Sequence, residues 1–188
     1  PRFPPWPPTP GVATTGRGPP TPFTLQLGDN VSPAWDSYLA TASSDWSQSS
    51  VFDTAIVVGG TKARSCRPTS GRVEVCSAAY GNTGWLGVAQ IWVSGLHITQ
   101  GTVKANDTYF STSTYNTPAW RRFVMCQEIG HTLGLDHQDE SFSNTNLGSC
   151  MDYTSNPSGP PSNEHPNQTR LRRASDDLRA SRLGHDRG

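Results

Sequence analysis

Cys126-Gln-Glu-Ile-Gly-His-Thr-Leu-Gly-Leu-Asp-His137 is the stretch from which the rest of the chain is read. It closes a segment that begins at Thr117, a residue able to cap a helix, followed by Pro118 at the first helical position. Trp120, Phe123, Val124 and Ile129 then recur at helical spacing, and Gly134 supplies the left-handed residue on which helices often end. On such a helix, positions four apart lie one above the other. Residues 127 and 131 can therefore reach one ion, with the Glu128 carboxylate beside them. The unusual backbone angle open to Gly134 would let His137 swing back as a third ligand.

Working outward, Phe23-Thr-Leu-Gln-Leu27 alternates as a strand does. Ser32 and Pro33 are expected to start a helix carrying Trp35, Tyr38, Leu39 and Ala42 to about Trp46. Three β-branched runs follow, Thr54–Val58, Arg72–Cys76 and Trp85–Val93, with His97–Val103 as a fourth. Turns are marked by Asn82 and Gly84, and by Ser94 and Gly95. Together these predict an α+β fold with a twisted mixed sheet. From Asp139 to Gln168 the Ser, Asn, Gly and Pro content predicts loops, and within them stands Ser149-Cys-Met-Asp-Tyr153.

The two motifs together resemble the metzincin metalloproteases, whose pattern H-E-x-x-H-x-x-G-x-x-H is followed by a methionine turn beneath the metal. The match covers Glu128, His131, Gly134, His137 and Met151. FTLQLGDN, YGNTGWLGVAQIW and NLGSCMDY extend the likeness, over about residues 23–168, to a small secreted bacterial group of metzincins. The resemblance implies a zincin-like fold and hydrolysis of protein or peptide substrates. It makes Glu128 the general base and acid, His131 and His137 zinc ligands, and Met151 the apolar floor. By the same likeness Tyr153 stabilises the tetrahedral intermediate, and Gly87–Val93 forms the sheet edge along which an extended peptide lies. A non-catalytic peptide-binding module with the same cleft is the competing expectation; the presence of Glu128 speaks for the enzyme. His97 and His165 match nothing in the pattern.

The departure from that pattern is Gln127, standing where the first histidine ligand would be. An amide oxygen is a neutral, weaker donor than the imidazole, thiolate or carboxylate that zinc favours. Gln127 can still complete the site at reduced affinity; a water, Asp136, Asp139 or Glu140 are the alternatives. Water activation and proton transfer fall to the metal and Glu128 rather than to residue 127, so the burden of the change is on zinc occupancy.

Four cysteines, Cys66, Cys76, Cys126 and Cys150, suit two disulfides outside the cell. Three pairings are formally open, and four reduced thiols in a cytosolic protein are the alternative. The turn within RPTSGRVEV favours Cys66–Cys76, leaving Cys126 with Cys150, a bond that would clamp the helix to the methionine turn. Of 188 residues only 16% are charged, and 15 basic side chains balance 15 acidic ones. No overall field therefore attracts nucleic acid or an anionic membrane. No apolar run approaches the roughly 18 residues that span a bilayer. The expectation is a secreted monomer, with any secretion signal removed or lost.

Residues 1–22 are too rich in Pro and Gly for a core element and read as a disordered lead-in to a catalytic domain over 23–168. After Gln168 the chain turns basic, and 169–188 reads as a tail. A reading-frame slip is a second explanation. Permitted codons for Thr169 to His185, read one base later, can give HDYDELRMIYAHLDSAT, similar to the closing helix of the same family. Val12 to Thr21 offer a weaker case of the same kind.

Overall fold

The computed structural model describes residues 23–95 and 97–183, with side chains to residue 176. The lead-in expected over 1–22, and the last five residues of the expected tail, lie outside the described residues. Five strands form one mixed sheet: β1 Phe23–Asn30, β2 Phe52–Val58, β3 Val73–Ala78, β4 Gly87–Ser94 and β5 His97–Asn106, in the order β2-β1-β3-β5-β4. All neighbours are parallel except β4, which runs antiparallel to β5. Parallel neighbours need crossovers, and helix α1, Asp36–Trp46, supplies the one between β1 and β2. The β4–β5 pair closes through Ser94 and Gly95, where Gly95 takes φ +58°. Among the described residues β4 is thus an edge strand, hydrogen-bonded on one side only.

The remaining helices are a short α2, Asp107–Phe110, then α3, Pro118–Thr132, and α4, Gln168–Leu183. The core lies where α1 and α3 pack on the sheet, and it joins Leu27, Leu39, Trp46, Val75, Val103 and Ile129. Central β3 is buried on both faces. Glu74 within it is fully buried and accepts from Asn30 (2.7 Å), the Gly60 amide (3.1 Å) and Arg72 (2.7 Å). Those donors, with Thr69, hold its carboxyl below the usual carboxylate range although burial pushes the other way.

Three expectations need correction. Ser32 does not cap α1. Its amide is tied to Ser77 Oγ (2.8 Å) and its carbonyl takes the Trp35 amide (2.8 Å), so the chain makes a turn first and the helix begins at Asp36. Trp35 is drawn inward, its indole donating to Asp107 (2.7 Å) and standing edge-on to Phe110. Trp85 falls outside β4, because the Asn106 carboxamide holds the loop before it through Gly81 O and Thr83 Oγ, both at 2.9 Å. Residues 169–183 form α4 with Gln168, and Leu171 and Ala174 are buried in the core, so this segment is a docked helix rather than a loose tail.

Candidate metal and acid site

Helix α3 carries three of the candidate residues, and its sequence explains both ends. Thr117 Oγ1 accepts the Trp120 amide (3.3 Å), with Pro118 next in the chain. At the other end Gly134 takes φ +85°, and two bonds close the turn: Gly134 N to His131 O (3.0 Å) and Leu135 N to Gly130 O (3.3 Å). This is the Schellman pattern, and it reverses the chain so that residue 137 faces residue 131.

The two imidazoles meet Nε2 to Nε2 at 3.0 Å. His131 Nδ1 lies 2.8 Å from the Leu135 carbonyl, an acceptor only, so Nδ1 carries the proton. On His137 it is Nδ1 that looks toward Glu140 (3.5 Å) and Asp136 (3.9 Å). Both rings therefore bring Nε2 to the same point. Burial lowers the pKa of each to about 4, for His131 with help from His137 and for His137 against the pull of Asp136, so both are neutral at pH 7. Neutral nitrogens are what a metal requires. With Zn–N bonds of roughly 2.05 Å, the edge of a tetrahedral site is about 3.3 Å, close to the spacing here. The donor chemistry fits zinc. Asp136, His137 and Glu140 also bring ligand atoms within 4.8 Å of one another, but both carboxylates lie on the Nδ1 side of His137, opposite the face shared with His131. They are placed to orient this ring from behind. Asp139 is engaged elsewhere, accepting from the Ser141 amide (2.6 Å).

Glu128 is 2% exposed and lines a cleft of about 620 Å³. Burial pushes its carboxyl up to about 8, with the Ala89 amide pulling it partly back, and Oε2 has no hydrogen-bond partner among the described residues. Gly87 makes this position possible: a Cβ there would stand 2.7 Å from both Cγ and Oε1 of Glu128. The cleft wall is largely aromatic and aliphatic, with Trp85, Leu86, Tyr115, Phe123, Phe142 and Tyr153. Tyr153 packs on the His137 ring at 4.3 Å and under Phe142 at 4.8 Å. Burial, then the charges of Glu140, Glu128 and Asp136, raise its phenol well above the ordinary value, so it remains a proton donor.

Met151 is fully buried beneath α3, against Gly130 and Trp46. Its turn is held by Cys150 N to His165 O (2.9 Å), Gln138 N to Met151 O (2.5 Å) and Tyr153 N to Asp139 O (3.0 Å). Both expected disulfides are present, Cys66–Cys76 and Cys126–Cys150, the second joining α3 to this turn. Gln127 is 4% exposed and donates from Nε2 to the Cys150 carbonyl at 2.9 Å. His165 pairs with Asp45 (2.6 Å), and His97 begins β5. The sequence reading missed Gly87, the Ala89 amide and the Cys150 carbonyl. Gly87 carried a signal, since a glycine opening a β-branched run marks close approach by another element; the backbone groups carried none.

No protein-family model matches the chain, and no curated protein sequence matches it.

Proposed function

We propose that the protein is a secreted zinc-dependent endopeptidase of metzincin type. The observation that carries this is the pair of neutral imidazoles meeting at 3.0 Å, one of them on the helix that also holds the buried, under-bonded Glu128 against an apolar cleft. Support comes also from Met151 beneath the helix. Two disulfides suit an oxidising compartment. No described helix is long and apolar enough to cross a membrane.

His131 and His137 would hold the ion, with Gln127, one turn before His131 on α3, as third donor. Zinc, when bound, supplies a Lewis acid that acidifies water and polarises a carbonyl. A dication nearby would also lower the Glu128 pKa, bringing the carboxylate form within reach at neutral pH. Glu128 takes a proton from the attacking water and delivers it to the departing amine nitrogen, so that peptide and water become acid and amine. Tyr153 donates to the carbonyl oxygen as negative charge grows there. The open side of β4 accepts an extended peptide backbone with little regard to sequence, and the neighbouring cleft takes an apolar side chain.

The second reading is a peptide-binding module without catalysis, favoured by Gln127 in the place of a histidine. Metal analysis with a general protein-digestion assay on the native chain and on Glu128→Gln separates them. Bound zinc with cleavage lost in Glu128→Gln selects the enzyme. Peptide binding without metal or cleavage selects the module.

A further inference from the structure

Resting on the zinc reading above, we propose that the Cys150 carbonyl aims Gln127 as an oxygen-donor ligand, so that the Cys126–Cys150 disulfide sets zinc affinity through Gln127. The first support is the direction of the amide. A peptide carbonyl only accepts, so the atom 2.9 Å from Cys150 O must be the NH2 group; turning the amide over would set two oxygens against each other. Oε1 is thereby directed away from Cys150, and no described residue donates to it. It stands on the α3 face that carries His131, one turn away, and against the cleft.

The second support is covalent. Cys126 and Gln127 are adjacent, Cys126 is bonded to Cys150, and Gln127 is hydrogen-bonded to that same Cys150. Disulfide and hydrogen bond close a small ring around the ligand position. Cys150 is held on its far side by its amide, which donates to His165 O (2.9 Å). The acceptor that orients Gln127 is therefore itself fixed. A neutral oxygen binds zinc more weakly than an imidazole, so a freely rotating glutamine would contribute little. One whose rotamer and amide plane are set in advance loses less freedom on binding. Without the sulfur bridge the Cys150 carbonyl can drift, and the amide with it.

The test is the zinc Kd of the full chain by chelator competition at fixed pH, for native protein, His131→Ala, Gln127→Met, the Cys126→Ser/Cys150→Ser pair, and that pair combined with Gln127→Met. Methionine keeps the volume and removes both polar atoms. We expect Gln127→Met to weaken binding about 10- to 100-fold. The serine pair should weaken it by a similar factor, and the combination should be no weaker than Gln127→Met alone, because both changes remove one interaction. The visible spectrum of the cobalt-loaded protein should change between native and Gln127→Met. Native affinity and an unchanged spectrum in Gln127→Met, with binding lost in His131→Ala, overturn this inference and leave the zinc site standing. Effects of the disulfide and of Gln127 that multiply independently also overturn it. If the serine pair fails to fold, the Gln127→Met affinity and the cobalt spectrum decide. A native chain that binds no zinc, or His131→Ala at native affinity, overturns both readings.

Discussion

Gly87→Ala tests how tightly the Glu128 carboxyl, the proposed general base, is held. An alanine Cβ at this position would lie 2.6 Å from Val124 Cγ1 and 2.7 Å from Cγ and Oε1 of Glu128, whereas ordinary contact starts at 3.4 Å. Each neighbour must yield by about 0.7–0.8 Å. Helix α3 cannot recede as a body, since Met151 and Trp46 pack against Gly130 behind it and the Cys126 disulfide tethers it. Glu128 therefore swings away from its seat beside β4. Overpacking of this kind costs about 1–3 kcal/mol, and for a chain of this length each kcal/mol lowers the melting temperature by roughly 2–4 °C. A shift of this size at the proposed general base should lower kcat at least ~10-fold, given that 1 Å can cost on the order of 100-fold. Zinc content should stay native, because neither histidine is touched. The assay is hydrolysis of an unfolded protein substrate, with metal analysis and a thermal melt on the same sample. Native rate and native melting temperature together would refute the close-packing argument.

Gly130→Ala should be destabilising despite the better helix propensity of alanine, by about 1–2 kcal/mol in urea unfolding, because the new methyl meets Met151 Sδ and Trp46. Tyr153→Phe keeps the contacts with His137 and Phe142 and removes the hydroxyl, so kcat/KM should drop about 100-fold while zinc Kd is unchanged; a weakened Kd would assign Tyr153 to holding the site instead. Glu74→Gln breaks the pair with Arg72 and should cost about 2–3 kcal/mol at pH 7, toward the low side for a buried pair because Arg72 keeps some contact with water. Because the folded pKa of Glu74 is depressed, its stabilisation is complete above the unfolded value near 4.5 and disappears as pH falls through the folded value. Urea midpoints of native protein should thus converge with those of Glu74→Gln on acidification below that pH, and a constant gap would count against the argument.

Local chemistry made parts of this architecture legible in advance. The Thr117-Pro118 start and the Gly134 stop bracket α3, and each β-branched run overlaps a strand of the mixed sheet, with Arg72, Trp85 and Leu86 left outside. The expected Cys66–Cys76 bond is present, but without the hairpin: Cys66 lies in the loop before β3 and only Cys76 is in a strand. What escaped was set by partners distant in sequence. Ser32 has every local feature of a cap, yet Ser77, 45 residues on, claims its amide. Asn106 reaches back to Gly81 and shortens β4. The many charged residues in the sequence of 168–183 hid the two apolar ones, Leu171 and Ala174, by which α4 docks. At the site, residue types pointed to His131 and His137, but the orientation of Gln127 depends on a backbone carbonyl 23 residues away, which no side-chain pattern records.

Near its first turn, α3 is also gripped by charge. The Arg121 guanidinium sits 4.6 Å from the Trp35 ring and 5.2 Å from Phe110, and it donates to the Phe110 carbonyl (3.2 Å). With the sulfur bridge at its middle and Gly130 seated on Met151, the helix is secured at three heights and cannot roll about its own axis. If the cleft takes peptides as proposed, adjustment to different ones would come from the surrounding rim, above all the loop bearing the half-exposed Phe142, while the acid and the imidazoles keep one bearing throughout.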